Sequence, residues 1–426
     1  MTLSSSGIRL RYLVDINRRA LPESTPEEFE IDYLDISAVG TGCLTSDPVT
    51  LLFGAAPSRA RRIVHKGDTI VSTVRTYLKA VWPVADISNR LVVSTGFAVL
   101  TPKPFVDSRY LGWVCQSTTF IDEVVARSTG VSYPAINAPD IGDIRVPFIE
   151  ISGQRDIADY LDAETARIDA LIAKKQQMVQ LFDELRREVL IAGVAGEFTS
   201  TDFGPSRVLW LDQHPRYWRS AKLTLVAKLG SGHTPSRSHP EWWINCTIPW
   251  ITTGEVAEMR DDRHEYVLET REKISQLGIE NSSATLRPAG TVVLCRTASA
   301  GYSAIMATDM ATSQDFATWT CGPLLRPRFL LLCLRAMRQD LLGRLAMGST
   351  HQTIYMPDIE SLRIPLPDVQ EQERIVESVW KRILKLGRSE DLLQQQINLL
   401  QERRQALITA AVTGQLDILE VVRGNH

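Results

Sequence analysis

The chain has 426 residues, 44% of them hydrophobic and 23% charged, with a formal net charge of −3. Those values describe a globular protein of two to four domains and exclude a chain that binds polyanions through a global basic field. The six cysteines form no CxxC pair and have no close histidine, so a zinc site is not expected and free thiols in a reducing cytoplasm are. The N-terminus lacks a charged-then-apolar leader, and the longest apolar run, Phe329–Leu334, is too short to span a bilayer.

From the N-terminus to about Pro147, short β-rich runs (Ile31–Ile36, Thr69–Val74, Leu91–Val93) are punctuated by glycine and proline. This predicts a small, mostly β domain over residues 1–150. The window Pro57–Lys66 carries Arg59, Arg61, Arg62 and Lys66 with no acid, and Arg75 and Lys79 follow beyond a strand. Exposed arginines in a loop suit phosphate contacts and bidentate guanine contacts, although a solvated charged loop looks the same in sequence. Ser132 and Tyr133 stand in the loop before Pro139-Asp140.

Residues 151–196 read as a long helix. Leu161, Ile168, Lys175, Phe182 and Val189 recur every seven positions, as a coiled-coil seam requires. A second row, Ile157, Leu171, Met178 and Leu185, is expected to support it, broken by Glu164. A helix from about Ile157 to Ala192 would be roughly 54 Å long.

The rest of the chain repeats the first part. Ile141-Gly-Asp-Ile-Arg-Val-Pro147 returns as Ile359-Glu-Ser-Leu-Arg-Ile-Pro365, 218 positions on. The same offset carries Gln154 onto Gln372, Val194 onto Val412 and Gly196 onto Gly414 with no insertion. Two copies are too few for a solenoid and point to a pseudo-dimer within one chain, which suits a two-fold-like target such as duplex DNA. Residues 197–368 are therefore expected to form a linker and a second β domain, and 369–426 a second helix and tail. The second seam would be Val379, Leu386, Leu393, Leu400 and Leu407, with Ile383 and Ile397 supporting it and Glu390 and Arg404 interrupting. Gly387, inside this helix, costs ~1 kcal/mol against alanine and marks a soft spot. Gly196 and Gly414 sit where C-terminal caps belong.

In the second β domain, Gly230–Pro240 offers His233, Thr234, Ser236, Arg237 and His239 among small residues that let a phosphate approach the backbone. A second candidate, Arg296–Tyr302, contributes Arg296, Ser299 and Tyr302, and His351 and Gln352 stand at the loop equivalent to Ser132-Tyr133. Trp242 and Trp243 are expected to pack this loop onto the domain. No nucleotide-binding glycine loop, GxxxxGK[ST], HExxH or GxSxG is present, nor the Pro-Pro-aromatic stretch of an adenine methyltransferase. Pro367-Asp368 with Glu371 faintly suggests a nuclease carboxylate pair, but Asp368 stands where a helix needs a cap.

Together, Trp210–Trp218, Lys222–Pro235, Ile364–Pro367 with Gln370–Ile375, and Leu407–Gly414 resemble the specificity subunits of type I restriction-modification systems. The resemblance covers nearly the whole chain. It implies an α+β fold of two pseudo-symmetric copies, each a mixed α/β target-recognition domain followed by a long helix, the helices pairing as an antiparallel coiled coil. It further implies a non-catalytic, cytoplasmic protein that reads a bipartite asymmetric site on double-stranded DNA. Two methyltransferase subunits carrying S-adenosylmethionine would dock on it, and restriction subunits using ATP and Mg could join. The first domain has Ile16–Pro22 where the second has the family-like Gly-Ser-Gly-His-Thr-Pro, so different loop chemistry is expected in the two. The rival readings are a helical assembly protein whose β domains bind protein, and an enzyme of unrecognised chemistry.

Overall fold

The computed structural model describes residues 7–85, 89–346, 352–416 and 418. Contacts divide the chain into two compact units, residues 1–176 with 395–426, and residues 177–394.

In the first unit, β1 (Ile8–Arg9), β2 (Val14–Ile16), β3 (Glu30–Leu34), β4 (Val49–Leu52), β5 (Ala60–Ile63), β6 (Thr69–Ser72), β7 (Val81–Pro83), β8 (Leu91–Ser94) and β9 (Phe97–Pro102) are followed by α1 (Ser108–Gln116), α2 (Thr118–Ala126), α3 (Ala138–Gly142) and β10 (Arg145–Val146). A long helix, α4 (Ile151–Val194), begins in this unit and ends in the other. The second unit then holds β11 (Phe203–Pro205), β12 (Gln213–Pro215), β13 (Arg219–Lys222), β14 (Ala227–Ser231), β15 (Ile248–Ile251), α5 (Val256–Met259), β16 (Tyr266–Val267), β17 (Glu272–Ile274), α6 (Gln276–Glu280), β18 (Val292–Cys295), β19 (Ser303–Met306), β20 (Ala311–Thr312), β21 (Phe316–Cys321), α7 (Pro327–Ala336), α8 (Arg338–Asp340), α9 (Met356–Ser361) and β22 (Arg363–Leu366). The second long helix, α10 (Val369–Thr413), begins here and returns to the first unit.

The two β domains share one topology. One sheet runs β2-β9-β6-β7 in the first and β14-β21-β18-β19 in the second, where β16 adds an edge strand. The other runs β4-β3-β8 and β17-β15-β20, with β5 added in the first copy. In both, the middle strand pairs antiparallel on one side and parallel on the other. Strands β6 and β18 are buried along their whole length; β18 is an unbroken apolar run, while β6 places Thr69 and Ser72 either side of Ile70 and Val71. A two-stranded ribbon closes each domain, β1 with β10 and β13 with β22; Arg145 pairs with Arg9, and Arg363 with Lys222.

Each long helix is held to its β domain by the same buried glutamine. Gln154 accepts from the Asp107 amide at 2.8 Å and donates to the carbonyls of Phe105 and Ile149 at 3.3 and 2.7 Å. Gln372 accepts from the Arg326 amide at 2.8 Å and donates to Leu324 and Pro367, both at 2.9 Å. Both side chains are fully buried. Gly196 (φ 87°) and Gly414 (φ 74°) adopt the left-handed conformation just past the helix ends, as expected of C-terminal caps.

The helices run antiparallel within each unit. In the first, Leu161 shares a core with Ile408, Ala411 and Val412; in the second, Leu190 and Val194 share one with Ile375, Val379 and Ile383. Of the expected seam, Leu161, Ile168, Val379 and Leu393 are buried, while Lys175, Phe182, Val189, Leu386, Leu400 and Leu407 are half-buried. The expected second row in α4 needs correction. Leu171, Met178 and Leu185 are 45–46% exposed, and Ile157 is buried against the β domain instead. The buried companions are Thr165, Ile172 and Arg186, one position later. A straight helix drifts from a seven-residue repeat, so a row one position off lands on the outer face.

Candidate nucleic-acid interface

In the first β domain, β6 leads into a turn in which Arg75 and Lys79 both have left-handed backbone (φ 50° and 53°). Val74 bridges to Ala135, and the Arg75 amide bonds the Pro134 carbonyl at 2.8 Å. That pairing brings the loop of Ser132 and Tyr133 beside Arg75, whose guanidinium lies 4.9 Å from the Tyr133 ring centroid. Arg75, Lys79, Ser132 and Tyr133 are all exposed, as are Tyr77 and Val131. A cation over an exposed aromatic ring presents both a phosphate ligand and a stacking face.

The basic window upstream does not form one patch. Arg59 is held by the Asp35 carboxylate at 2.6 Å and the Tyr33 hydroxyl at 3.3 Å, and the hydrogen bond to Tyr33, followed by the charge of Asp35, raises its pKa above the ordinary arginine value. Arg61 lies over the Phe53 ring at 4.6 Å. Arg62 is half-buried, with its Nε sequestered from solvent, and a register shift in β5 between Ala60 and Arg62 breaks the simple alternation. Lys66 is exposed at the end of the window.

The second domain builds an equivalent corner. The turn after β18 contains Ala298 with left-handed backbone (φ 59°), Thr297 bridges to Thr353, and the Ile354 amide bonds the Arg296 carbonyl at 2.8 Å. Three loops that are distant in sequence meet here around Gln314 and Asp315. Thr234 bonds the Gln314 side chain at 2.6 Å, Arg296 Nε bonds the Gln314 carbonyl at 2.9 Å, and Thr297 bonds Asp315 at 2.5 Å. Gln352 is exposed beside Thr353; His351 lies outside the described residues. The Ser299 amide folds back onto the Thr297 carbonyl at 2.6 Å, and Tyr302 sits under the guanidinium of Arg338 at 4.6 Å.

Other second-domain candidates are engaged within their own loop. Arg237 lies 3.7 Å over the Trp243 ring and bonds Glu272 at 3.0 Å, while His239 stacks on Trp242 at 4.2 Å and bonds Glu241 at 2.9 Å. Ser236 bonds Ser238 at 2.6 Å and accepts from its amide, and Trp243 packs edge-on against Trp250. The paired tryptophans thus fasten the loop, as the sequence indicates. The His233 amide bonds the Thr312 carbonyl at 3.0 Å, which lays the glycine-rich segment along β20.

Sequence reasoning passed over three residues of the two domains. Tyr77 stands between Arg75 and Lys79 as an exposed aromatic, and the run Arg-Thr-Tyr-Leu-Lys carries that signal. Gln314 organises the second corner and has no local signature. Arg287 is half-buried, with no side-chain hydrogen bond or acid partner among the described residues, and desolvation lowers its pKa. A Cβ on Gly230 would fall on its guanidinium, which accounts for glycine there.

The Asp368–Glu371 pair is structural. Asp368 accepts from the Glu371 amide at 2.8 Å as the cap of α10. Buried Glu371 accepts from the Tyr217 hydroxyl at 2.9 Å and the Trp218 indole at 3.0 Å. Among the described residues, no group of three histidine, cysteine, aspartate or glutamate side chains could hold a metal ion, and no helix is long and apolar enough to cross a membrane.

Residues 215–401 match the family model described as the type I restriction modification DNA specificity domain. The chain is 26% identical over 182 residues to the specificity subunit of the type I restriction enzyme MjaIX of Methanocaldococcus jannaschii, an alignment covering 42% of this chain and 39% of that one. It is 22% identical over 311 residues to the EcoBI specificity subunit of Escherichia coli, covering 70% and 64%. The aligned stretches thus span less than two thirds of either relative. The fold is similar to that of a chain in a solved structure described as showing complex assembly and conformational transition of the type I R-M system, with a TM-score of 0.74, 22% identity, and coverage of 98% of this chain and 100% of that one. Residues 215–401 thus match the DNA specificity domain of type I restriction-modification systems, and the chain is similar to specificity subunits of those systems.

Proposed function

We propose that this chain is the non-catalytic sequence-reading subunit of a type I restriction-modification complex. Each β domain reads one half of a bipartite, asymmetric site on duplex DNA, and the paired helices set the gap between the halves. The observation that carries this reading is that one corner geometry recurs with different side chains. The left-handed position that carries Arg75 in the first domain carries Ala298 in the second, where Arg296, Gln314 and Gln352 stand around the corner from other positions. Equivalent backbone with unlike side chains is what two heads reading different bases need, because base edges are read by side-chain donors and acceptors.

The exposed row on the helices supports docking of methyltransferase subunits. Met178, Leu181 and Leu185 on α4 and Leu384 and Leu392 on α10 are 46–60% exposed within the second unit, apolar side chains that a docked partner would cover. S-adenosylmethionine would enter with those subunits, and ATP and Mg with restriction subunits where they join. The net charge of −3 fits a chain whose partners help clamp the DNA.

The test is selection of random duplex pools on the full chain assembled with methyltransferase subunits. A split motif with a fixed gap is the expected result. No enriched motif, with stable capture of protein alone, would establish the assembly-protein reading instead. Turnover of DNA by the isolated chain would overturn the non-catalytic assignment.

A further inference from the structure

The seam of α10 is interrupted by Glu390, whose mate in α4, 218 positions earlier, is the buried Ile172. An apolar side chain is therefore acceptable at this position of the repeat, and a carboxylate there needs a reason. Glu390 is 20% exposed and accepts through one oxygen from two arginines on different elements. Arg186 of α4, 7% exposed, reaches it across the seam and also bonds Asp183 at 2.8 Å. Arg263, from the turn before β16, reaches it at 2.6 Å and bonds Asp391 at 2.7 Å.

Two further observations show that this meeting is built. Arg404, the mate of Arg186, bonds Asp169 of α4 at 2.9 Å in the first unit. The position equivalent to Asp169 in α10 is Gly387, where a Cβ would sit 3.1 Å from Arg263 Nε. The second copy has exchanged an acid for a notch through which the β domain inserts an arginine. The turn that carries Arg263 is itself fixed. Asp262 has left-handed backbone (φ 54°) and is gripped by Arg338 at 2.5 and 2.7 Å. The buried Arg335 bonds the carbonyls of Asp262 and His264 at 2.7 and 2.5 Å.

We propose that Glu390 is the register-setting residue of the helical pair and the seat of the second β domain. A slip of α10 along α4 by one heptad would leave apolar rows facing apolar rows, but it would part Glu390 from Arg186 in a partly dry seam and leave Arg186 with Asp183 alone. One buried polar layer can single out a register in this way at some cost in stability. Arg263 couples that register to the β domain, so Glu390 acts on DNA reading as a positioning residue.

The gap readout rests on the proposed function; a second readout does not. Glu390→Leu and Arg263→Ala are made in the full chain. In pool selection with methyltransferase subunits, each variant is expected to raise gaps other than the wild-type one by about tenfold relative to wild type. The Glu390→Leu variant should do so without a lower melting temperature, since an apolar side chain replaces an ion cluster. An unchanged gap distribution in folded variants overturns the proposal. Should wild type select no split motif, the DNA reading fails, and hydrogen exchange still decides the seat. Residues 261–265 should exchange faster in both variants, and equal protection in wild type and variants overturns it.

Discussion

Replacing Gln372 with alanine is expected to cost the second unit about 3–6 kcal/mol. Its side chain makes three hydrogen bonds of 2.8–2.9 Å in a fully buried site. Each bond contributes ~1 kcal/mol net, and each abandoned polar group adds ~1 kcal/mol or more because water cannot replace the lost partner. For a unit of this size the melting midpoint should fall by roughly 6–24 °C. Seven of the nine tryptophans lie in residues 177–394, so intrinsic fluorescence reports that unit. The fluorescence midpoint should drop in Gln372→Ala, and hardly move in Gln154→Ala, which empties the same socket in the first unit. Circular dichroism should show an early transition in both. Gln372→Glu should be worse than alanine at neutral pH, since a carboxylate can accept from Arg326 but faces the two carbonyls without a proton. A loss below ~1 kcal/mol in Gln372→Ala would show that the glutamine is not what holds helix to domain.

Arg75→Ala should weaken binding by ~1–3 kcal/mol at one half-site only, measured by gel shift on duplexes altered in either half; equal loss on scrambled DNA would make it a generic phosphate contact. Leu181→Glu with Leu185→Glu should abolish co-purification of methyltransferase subunits with no loss of melting temperature, because both side chains are exposed; undiminished assembly would move docking elsewhere. In native protein a thiol reagent should label the exposed Cys43 and spare the buried Cys115, Cys295 and Cys333, as counted by mass spectrometry. Burial pushes the Cys295 thiol up to about 11 and Cys321 up to about 12. The unfolded chain therefore ionises first, so their contribution to stability is complete below about pH 9 and is lost as pH rises through 11–12.

The duplication was the most legible feature, because a 218-position offset survives in local residues such as Gln154 and Gln372 whose job is the same in both copies. The seam at Leu161, Ile168 and Val379 was legible for the same reason: a helix periodicity is a local property. The phase of its second row was not, since one position of error turns Ile172 into Leu171 and core into surface. Glu390 and Arg404 read as defects because their partners, Arg186 with Arg263 and Asp169, lie more than 120 positions away. The two loop corners were half legible. Arg75 and Tyr133 both stand out in the sequence, but nothing local says that a bridge from Val74 to Ala135 joins them. The window Arg59–Lys66 reads as one surface in sequence, where charges stand side by side along the chain, whereas Asp35, Phe53 and a strand bulge divide its arginines in space.

The partition of the long helices bears on how the molecule is made. The core of the first unit includes Ile408, Ala411 and Val412, which emerge from the ribosome only after all of residues 177–394. The β domain at the front of the chain must therefore wait, with Leu161 uncovered, while the other unit is synthesised. A nonsense codon near the 395–413 stretch would wound the earliest-made part of the protein rather than the latest, and a nascent chain stalled before it would be a natural client for chaperones.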